Sequence, residues 1–173
     1  MAVYKGGGAT IGKTQLLIPS GHNDALIEMG GRELQLTNLN KLFWQPGISK
    51  RDLLQYYSDI SPVLLPNLRN RAMVMKRYPS GAGGDFCFQK RIPEPHPEWV
   101  ETCEILHSSG SKIRFPMIQD LLTLLWVVNL GCIDLNQWYA TCDDVDRPDY
   151  LHFDLDPGPG AKPGCKVCGP DHG

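Results

Sequence analysis

Alternating hydrophobic and polar residues predict a series of short strands along the chain. The segment "RELQLT" at 32–37 alternates in a way that places its apolar side chains on one face of a strand. Comparable strand-like runs occupy 72–79, 85–91, 100–106, 112–117, 132–140 and 150–155. The turn-rich segments "SGAGG" and "HSSGS" each separate two of these runs, so we expect two hairpins.

Two segments show features of helices instead. "SKRDLLQYYSDI" begins with the capping-box pair Ser49 and Asp52, and its apolar residues recur at helical spacing. This helix is predicted to end before Pro62, with "PVLLPNL" as a bridging segment. A second helix is predicted to begin near Pro116 and to end at Gly131. Strands mixed with helices indicate an α+β (mixed α/β) fold, in which a largely antiparallel sheet packs against helices.

The composition is that of a globular chain. Its 173 residues are 42% hydrophobic and 21% charged, which fits one domain with a sizeable core. Residues 1–31 are rich in glycine and lack periodicity, so a flexible extension is predicted there. The most apolar window, 121–128, is too short to cross a bilayer, and the first residues lack the apolar core of a signal peptide. We therefore expect a cytoplasmic protein without a membrane partner.

The six cysteines show no spacing typical of a disulfide framework. In a cytosolic chain they are interpreted as reduced thiols, several of them buried. Cys165, Cys168 and His172 could supply three zinc ligands, but a structural zinc site needs four. Residues 161–173 are therefore interpreted as an irregular tail.

The charge is distributed unevenly. The net charge of −2 by itself argues against a nucleic-acid-binding protein. However, residues 41–91 carry nine lysines and arginines against three acidic residues, whereas 92–160 carry three against twelve. This asymmetry indicates one face for phosphates and another for cations, or two ordinary solvated surfaces. Arg69 and Arg71 are interpreted as surface charges.

Residues 7–14, "GGATIGKT", fit the P-loop pattern, with Lys13 on the phosphates and Thr14 on magnesium. The context contradicts this interpretation. A P-loop follows a buried strand and opens a helix, yet only six residues precede Gly7. Pro19 and Gly21 would also interrupt the helix. A nucleotide hydrolase is therefore a distant alternative.

The segment "FDLDP" carries the most suggestive chemistry. Asp154 and Asp156 would project from the same face of a strand, about 6.6 Å apart. Carboxylates so arranged can hold two divalent cations for nucleotidyl transfer, and hard oxygen ligands suit Mn²⁺ or Mg²⁺. The alternative is a strand end whose aspartates only start the following "PGPG" turn. The pattern alone leaves both interpretations open.

Six ordered blocks of sequence together carry a specific resemblance. They are "LTNLNKLFW", "SKRDLLQYY", "MKRYPSG", "FCFQK", "LLTLLWVVNLGCIDLNQW" and "DVDRPDYLHFDLDPGPG". In this order they resemble the polymerase domain of bacterial DNA ligase D, of the archaeo-eukaryotic primase-polymerase superfamily. The resemblance covers about 32–160 and implies the amino-terminal half of such a domain, incomplete at its C-terminus.

The resemblance implies nucleotide addition to broken DNA ends in non-homologous end joining, with manganese preferred. Asp154 and Asp156 match the metal-binding aspartates of the family, and both are the catalytic candidates. Asn38, Lys41 and Lys50 match the pocket for the 5′-phosphate of DNA. Lys50 at the start of a predicted helix suits this role, because helix N-terminal amides and a cation converge on an anion.

The resemblance also implies a channel for DNA and nucleotide. Lys76 and Arg77 match its basic pair, Phe88 matches an aromatic residue that stacks on template bases, and Lys90 and Asn136 fall along the same channel. Cys87 stands where the family has the first of two phenylalanines, so half of the stacking surface is expected to be missing. Asn136 replaces a common histidine, and an asparagine cannot carry its charge.

The family continues beyond the matched region with a third carboxylate ligand and a Ser-x-His segment, neither of which is found here. Whether the chain is an active enzyme therefore stays open. The expected partners are 5′-phosphorylated DNA ends, nucleoside triphosphates, Ku, a DNA ligase and a second chain that supplies the missing half, in a nucleoid-associated setting. The alternative is a non-catalytic module that binds 5′-phosphorylated DNA ends.

Overall fold

A computed structural model describes residues 17–106 and 110–152, together with the backbone of 3–5. Within these residues the chain forms ten strands and two helices. The strands are β1 Val3–Lys5, β2 Ala25–Met29, β3 Arg32–Leu36, β4 Leu42–Trp44, β5 Ile48–Ser49, β6 Met73–Arg77, β7 Cys87–Gln89, β8 Thr102–Leu106, β9 Lys112–Pro116 and β10 Cys132–Gln137. The helices are α1 Lys50–Leu68 and α2 Leu121–Asn129.

The strands form small and mainly antiparallel sheets. One sheet has the order β1-β2-β3, in which β1 runs parallel to β2, and another has the order β10-β6-β7. The pairs β4–β5 and β8–β9 complete the set. Both predicted hairpins are confirmed, since β6 pairs with β7 and β8 pairs with β9. The predicted α+β class is also confirmed.

The core lies between the two helices and the inner faces of β2, β3 and β6. Helix α1 turns its apolar side toward these strands, whereas α2 is buried on nearly every side, from 122 to 128. Burial of such side chains is the main stabilising contribution to the fold. The centre of this cluster is fully buried and includes Ile27, Leu36, Leu54, Met75 and Leu124. Neither helix is long and apolar enough to cross a membrane in the part of the chain that is described.

Helix α1 continues past the end that the sequence predicts. It passes through Pro62 and Pro66, both on its exposed side, and ends at Leu68. A proline at 62 deprives the Ser58 carbonyl of its usual amide donor. The Ser61 hydroxyl donates to that carbonyl at 2.8 Å instead. Leu65 and Leu68 then stabilise the last turns by packing into the core. The predicted end of the helix before Pro62 was therefore wrong.

The N-terminal region is also more ordered than the glycine-rich composition predicts. Strand β2 pairs with β3 along its whole length, from Ala25 opposite Leu36 to Met29 opposite Arg32. The side chains of Ala25 and Ile27 are buried. Residues 25–29 therefore belong to the folded core and not to a flexible extension.

Helix α2 begins later than predicted. Pro116 is the last residue of β9, and the helix starts after Asp120. The Asp120 carboxylate accepts a hydrogen bond from the Thr123 amide at 2.9 Å, which caps the helix. The predicted end is confirmed, because Gly131 has a φ of 85°, a conformation that ends helices and favours glycine.

Two polar assignments need correction. Cys103 and Cys142 form a disulfide, although reduced thiols are predicted; the fold brings their Cα atoms to 6.0 Å across 39 residues of sequence. Arg71 is 5% exposed and not a surface charge. Its planar guanidinium donates two hydrogen bonds of 2.7 Å to Asp149 and lies 4.4 Å from the Tyr150 ring centroid.

Several predictions fall at the edge of the described residues or beyond it. Of the predicted strand at 150–155, residues 150–152 are not in a strand, and the rest lies outside the described part. The P-loop-like segment 7–14 and the tail 161–173 also lie outside it. The predicted domain limits at 160 and the zinc-like set Cys165, Cys168 and His172 therefore remain predictions.

Candidate nucleic-acid interface

Lys50 lies at the N-terminus of α1, where the sequence builds a regular helix start. The Ser49 hydroxyl accepts from the Asp52 amide at 3.3 Å, and the Asp52 carboxylate accepts from the Ser49 amide at 2.7 Å. This reciprocal capping box satisfies two of the amides that a helix start leaves free. The Lys50 and Arg51 amides donate to the Lys41 and Leu39 carbonyls at 2.8 and 3.0 Å. The first-turn amides thus have partners within the fold, and the helix dipole is what favours an anion at this end.

The Lys50 side chain is buried, with only 5% exposure. Its ammonium donates to the Thr37 carbonyl at 2.7 Å. Burial and the charge of Lys41 lower the pKa of Lys50 to about 8, against an opposing effect of Asp24 and a further lowering by Arg77. Burial and the two nearby cations thus outweigh the attraction of Asp24, so a further negative group would stabilise the charge of Lys50.

The loop before β4 brings the other two residues of the predicted phosphate pocket to Lys50. Asn38 adopts a left-handed conformation with φ of 56°, and its amide donates to the Asp24 carboxylate at 2.9 Å. The Lys41 amide donates to the Asn38 carbonyl at 3.0 Å, and the Lys50 amide donates to the Lys41 carbonyl at 2.8 Å. Asn38, Lys41 and Lys50 thus form one group, which we call the Lys50 pocket.

Arg51 joins this region, although the sequence gives no sign of it. Its Nη2 donates to the Asn40 side chain at 2.8 Å and to the His22 carbonyl. Its Nη1 is buried and has no hydrogen-bond partner among residues 17–106 and 110–152. Arg51 therefore adds a third basic side chain, after Lys41 and Lys50, near the start of α1. Its hydrogen bonds hold the loop around Asn40 against the helix.

The predicted basic pair Lys76 and Arg77 is divided between the two faces of its sheet, because adjacent residues of a strand point to opposite sides. Arg77 Nε donates to the Leu130 carbonyl at 2.8 Å, and its Nη1 donates to Gln89. Arg77 is also close enough to lower the pKa of Lys50. Arg77 is thus electrostatically coupled to the Lys50 pocket, while Lys76 lies on the other side.

The opposite face of this sheet is polar and open at one end. Register places Asp134 opposite Lys76 and Lys76 opposite Phe88, so the three form one row across β10, β6 and β7. Lys76 Nζ lies 3.1 Å from the Asp134 carboxylate, which also accepts from the Tyr78 hydroxyl at 3.0 Å. Hydrogen bonds with Tyr78 and Asp134 raise the pKa of Lys76.

Three aromatic rings surround the Lys76 ammonium. It lies 4.5 Å from the ring centroid of Phe86, 5.4 Å from that of Tyr78 and 5.9 Å from that of Phe88. Phe86 and Phe88 are 53% and 60% exposed. The sequence predicts one stacking ring here, because Cys87 interrupts the phenylalanine pair, and the structure places the exposed ring of Phe86 5.7 Å from that of Phe88. We call these rings with Lys76 the aromatic face.

The two remaining channel residues lie beside this face. Asn136 is exposed and lies opposite Val74, two residues along the strands from the pair Asp134 and Lys76 and on the same face. Its side-chain amide donates to the carbonyls of Val74 and Asp134 at 3.4 and 3.3 Å. Lys90 directly follows β7 and is exposed. The structure therefore brings Lys76, Phe88 and Asn136 onto one sheet face.

The predicted metal ligands Asp154 and Asp156 lie outside the described residues. Within 17–106 and 110–152, no group of three histidine, cysteine or acidic residues could hold a metal ion. The described part of the chain thus contains the Lys50 pocket and the aromatic face, and the metal site stays a prediction on Asp154 and Asp156.

Comparison with known proteins gives a consistent assignment. The family described as "LigD, primase-polymerase domain" matches residues 49–167. The multifunctional non-homologous end joining protein LigD of Mycolicibacterium smegmatis is 31% identical over 130 residues, 73% of this chain and 17% of that protein. The bifunctional LigD of Bacillus subtilis is 33% identical over 126 residues, 72% of this chain and 20% of that protein. The chain spans about a fifth of the length of these relatives.

The fold is also found in a solved structure. The polymerase domain from Mycobacterium tuberculosis ligase D, in complex with DNA, matches with a TM-score of 0.59 at 25% identity. The match covers 61% of this chain and 37% of that one. Because the family match extends over more than half of the sequence, from the start of α1 past β10, the chain belongs to the LigD primase-polymerase domain family.

Proposed function

We propose that this chain binds DNA ends with a 5′-phosphate and serves nucleotidyl transfer in non-homologous end joining. The observation that carries the proposal is the buried Lys50 at the start of α1. Among the described residues its ammonium forms no ion pair, and Lys41 and Arg77 lower its pKa against the opposing effect of Asp24. The similarity to a ligase D polymerase domain that is bound to DNA supports the same function.

A terminal phosphate would add the negative charge that Asp24 alone does not supply in the Lys50 pocket. It carries about two negative charges at neutral pH and three acceptor oxygens, whereas an internal phosphodiester carries one charge. The Lys50 and Lys41 ammonium groups would donate to it at the positive end of the α1 dipole, and its charge would offset the mutual repulsion of the cations. The pocket would therefore favour a DNA end over the continuous backbone.

For the transfer step, Asp154 and Asp156 are proposed as the catalytic residues and as ligands of Mn²⁺ or Mg²⁺. Such ions would supply charge neutralisation at the reacting phosphates. The chain's own Lys76, Arg77, Phe88, Lys90 and Asn136 would bind the template strand and the nucleoside triphosphate. Ku, a DNA ligase and a second chain that completes the domain are proposed partners, in a cytoplasmic, nucleoid-associated location.

The binding proposal is tested with a blunt duplex that carries either a 5′-phosphate or a 5′-hydroxyl. The wild-type chain should prefer the phosphorylated end by about 10- to 100-fold in fluorescence anisotropy, the range for one or two charge-assisted hydrogen bonds. Lys50→Gln should remove this preference. Lys112→Gln is the matched control, because Lys112 is exposed and pairs with Glu104 on the β8–β9 hairpin.

Equal affinity of the wild-type chain for both duplexes would contradict the proposal. So would a preference that Lys50→Gln leaves intact. Circular dichroism and thermal melting of both variants establish that each is folded.

The catalytic part is tested by primer extension with Mn²⁺ and ribonucleotides. Extension by the wild-type chain that disappears in Asp154→Ala would support nucleotidyl transfer. No extension, with retained preference for the 5′-phosphate, would support a module that binds DNA ends without catalysis. The two assays therefore separate binding from chemistry.

A further inference from the structure

We propose that Phe86, which lies outside the phenylalanine pair of the family, supplies a second ring beside Phe88 and Lys76 on which the unpaired bases of a single-stranded overhang stack. The inference rests on the proposed function of binding DNA ends and extends it to the part of the end that is not paired. Phe86 would thus supply the second stacking ring that the family has at the position of Cys87. The inference assigns Cys87 no contact with the bases.

Strand geometry places Phe86 and Phe88 on the same side. Side chains two residues apart share a face, and register puts Phe88 opposite Lys76 while Cys87 lies opposite Arg77. The Phe86 and Phe88 rings have centroids 5.7 Å apart and planes at 83°, and Tyr78 lies 5.7 Å from Phe86 on the other side. A ring at position 87 would instead point to the face of Arg77.

The exposure of these rings requires an explanation. Phe86 and Phe88 keep about half or more of their surface in water, although the core is well filled by other residues. Exposed phenylalanines that adjoin one another lose the stabilisation that burial would give. Binding of a flat, partly apolar partner recovers it.

The charges around the rings select nucleic acid as that partner. Lys76 lies 4.5 Å from the Phe86 ring, and Lys90 and Arg91 directly follow β7. Rings interspersed with lysine and arginine suit a single strand, because bases stack on the rings while backbone phosphates contact the cations. Asp134 neutralises Lys76 in part, so base stacking and not phosphate binding dominates at this end of the sheet.

The full-length chain is tested with a duplex that carries a 5′-phosphate and a 3′ single-stranded overhang with 2-aminopurine at successive positions. Overhang binding should raise the affinity over the blunt duplex and quench the fluorescence. Phe86→Ala and Phe88→Ala should each lower the overhang-dependent affinity by about 5- to 100-fold and relieve the quenching. Cys87→Ala, at the exposed position between them, should match the wild-type chain.

Phe86→Leu keeps an apolar side chain without a π-face and should bind the overhang as weakly as Phe86→Ala. Wild-type affinity and quenching in Phe86→Ala, or in Phe86→Leu, would overturn the proposal. Thermal melting verifies that these surface variants are folded. Failure of the 5′-phosphate function would show separately, as equal affinity of the wild-type chain for phosphorylated and hydroxyl blunt ends.

Discussion

The Lys50 pocket and the aromatic face are built in opposite ways. In the pocket, a buried ammonium is held by a helix start and a loop that backbone hydrogen bonds join to each other. On the aromatic face, exposed side chains project from short strands. A phosphate needs fixed donors with little water, whereas stacking needs flat surface that stays open. Under the proposed function, this difference lets one fold meet both requirements.

Strand β6 joins the two regions. Its successive residues Lys76 and Arg77 point to opposite faces, the first into the aromatic face and the second toward the Lys50 pocket. The inner side chains Met73 and Met75 are fully buried beneath the helices. A DNA end that uses both regions would therefore meet β6 from two sides, and changes in one region should leave the other intact.

The largest effect is expected from the support of the pocket. Leu54→Ala removes a fully buried side chain of α1 and should lower the free energy of unfolding by about 2–5 kcal/mol in urea titrations. The affinity of the Lys50 pocket for a 5′-phosphate should fall as well, because α1 positions Lys50. A loss below about 1 kcal/mol would show that α1 is not anchored in the way described.

A smaller effect is expected from pH. Lys50 has its pKa lowered to about 8, so it loses its charge above that value while the phosphate stays fully ionised. The preference for the 5′-phosphate should fall by up to about tenfold per pH unit between pH 8 and 9.5. Lys50→Arg, which stays charged, should abolish this dependence wherever it retains binding.

The same lowered pKa has a consequence for stability with the opposite direction. The unfolded chain keeps Lys50 protonated up to its ordinary pKa of 10.5, so between pH 8 and 10.5 it binds more protons than the folded chain. This group alone therefore makes the free energy of unfolding rise with pH in that window. In the binding assay, a preference for the 5′-phosphorylated duplex that stays constant from pH 8 to 9.5 would contradict a lowered pKa of Lys50.

The smallest effect is expected on the aromatic face. Phe88 is 60% exposed, so Phe88→Ala should change the free energy of unfolding by no more than about 0.5 kcal/mol. The same urea titrations measure it beside Leu54→Ala. A loss comparable with that of Leu54→Ala would show that the ring is part of the core and would remove the contrast between the regions.

Local patterns predicted much of the fold. Period-two alternation and turn residues identify both hairpins, and Ser49 with Asp52 identifies the start of α1. The end of α1 could not be read from Pro62, because a side chain, Ser61, supplies the missing donor and buried leucines hold the last turns. The pairing of Cys103 with Cys142 depends on tertiary proximity, which spacing does not encode.

The candidate site was predictable where the residues lie close in sequence. Asn38, Lys41 and Lys50 come together through one loop and one helix start. Lys76 and Arg77 separate, although they are adjacent in sequence, because strand geometry overrides proximity along the chain. The phenylalanine pair of the family covers positions 87 and 88 and so gives no sign of Phe86; the two-residue period of a strand, continued one residue before β7, is the signal that places Phe86 beside Phe88.

The central claim, that the Lys50 pocket and the aromatic face bind separately, is tested most directly by the affinity for a 5′-phosphorylated duplex with a 3′ overhang. This affinity is measured for the wild-type chain, Lys50→Gln, Phe86→Ala and the double variant. Two separate regions predict that the free-energy losses of the single variants add in the double variant to within about 0.5 kcal/mol. A double variant that binds no more weakly than the weaker single variant would contradict the separation and indicate one shared site.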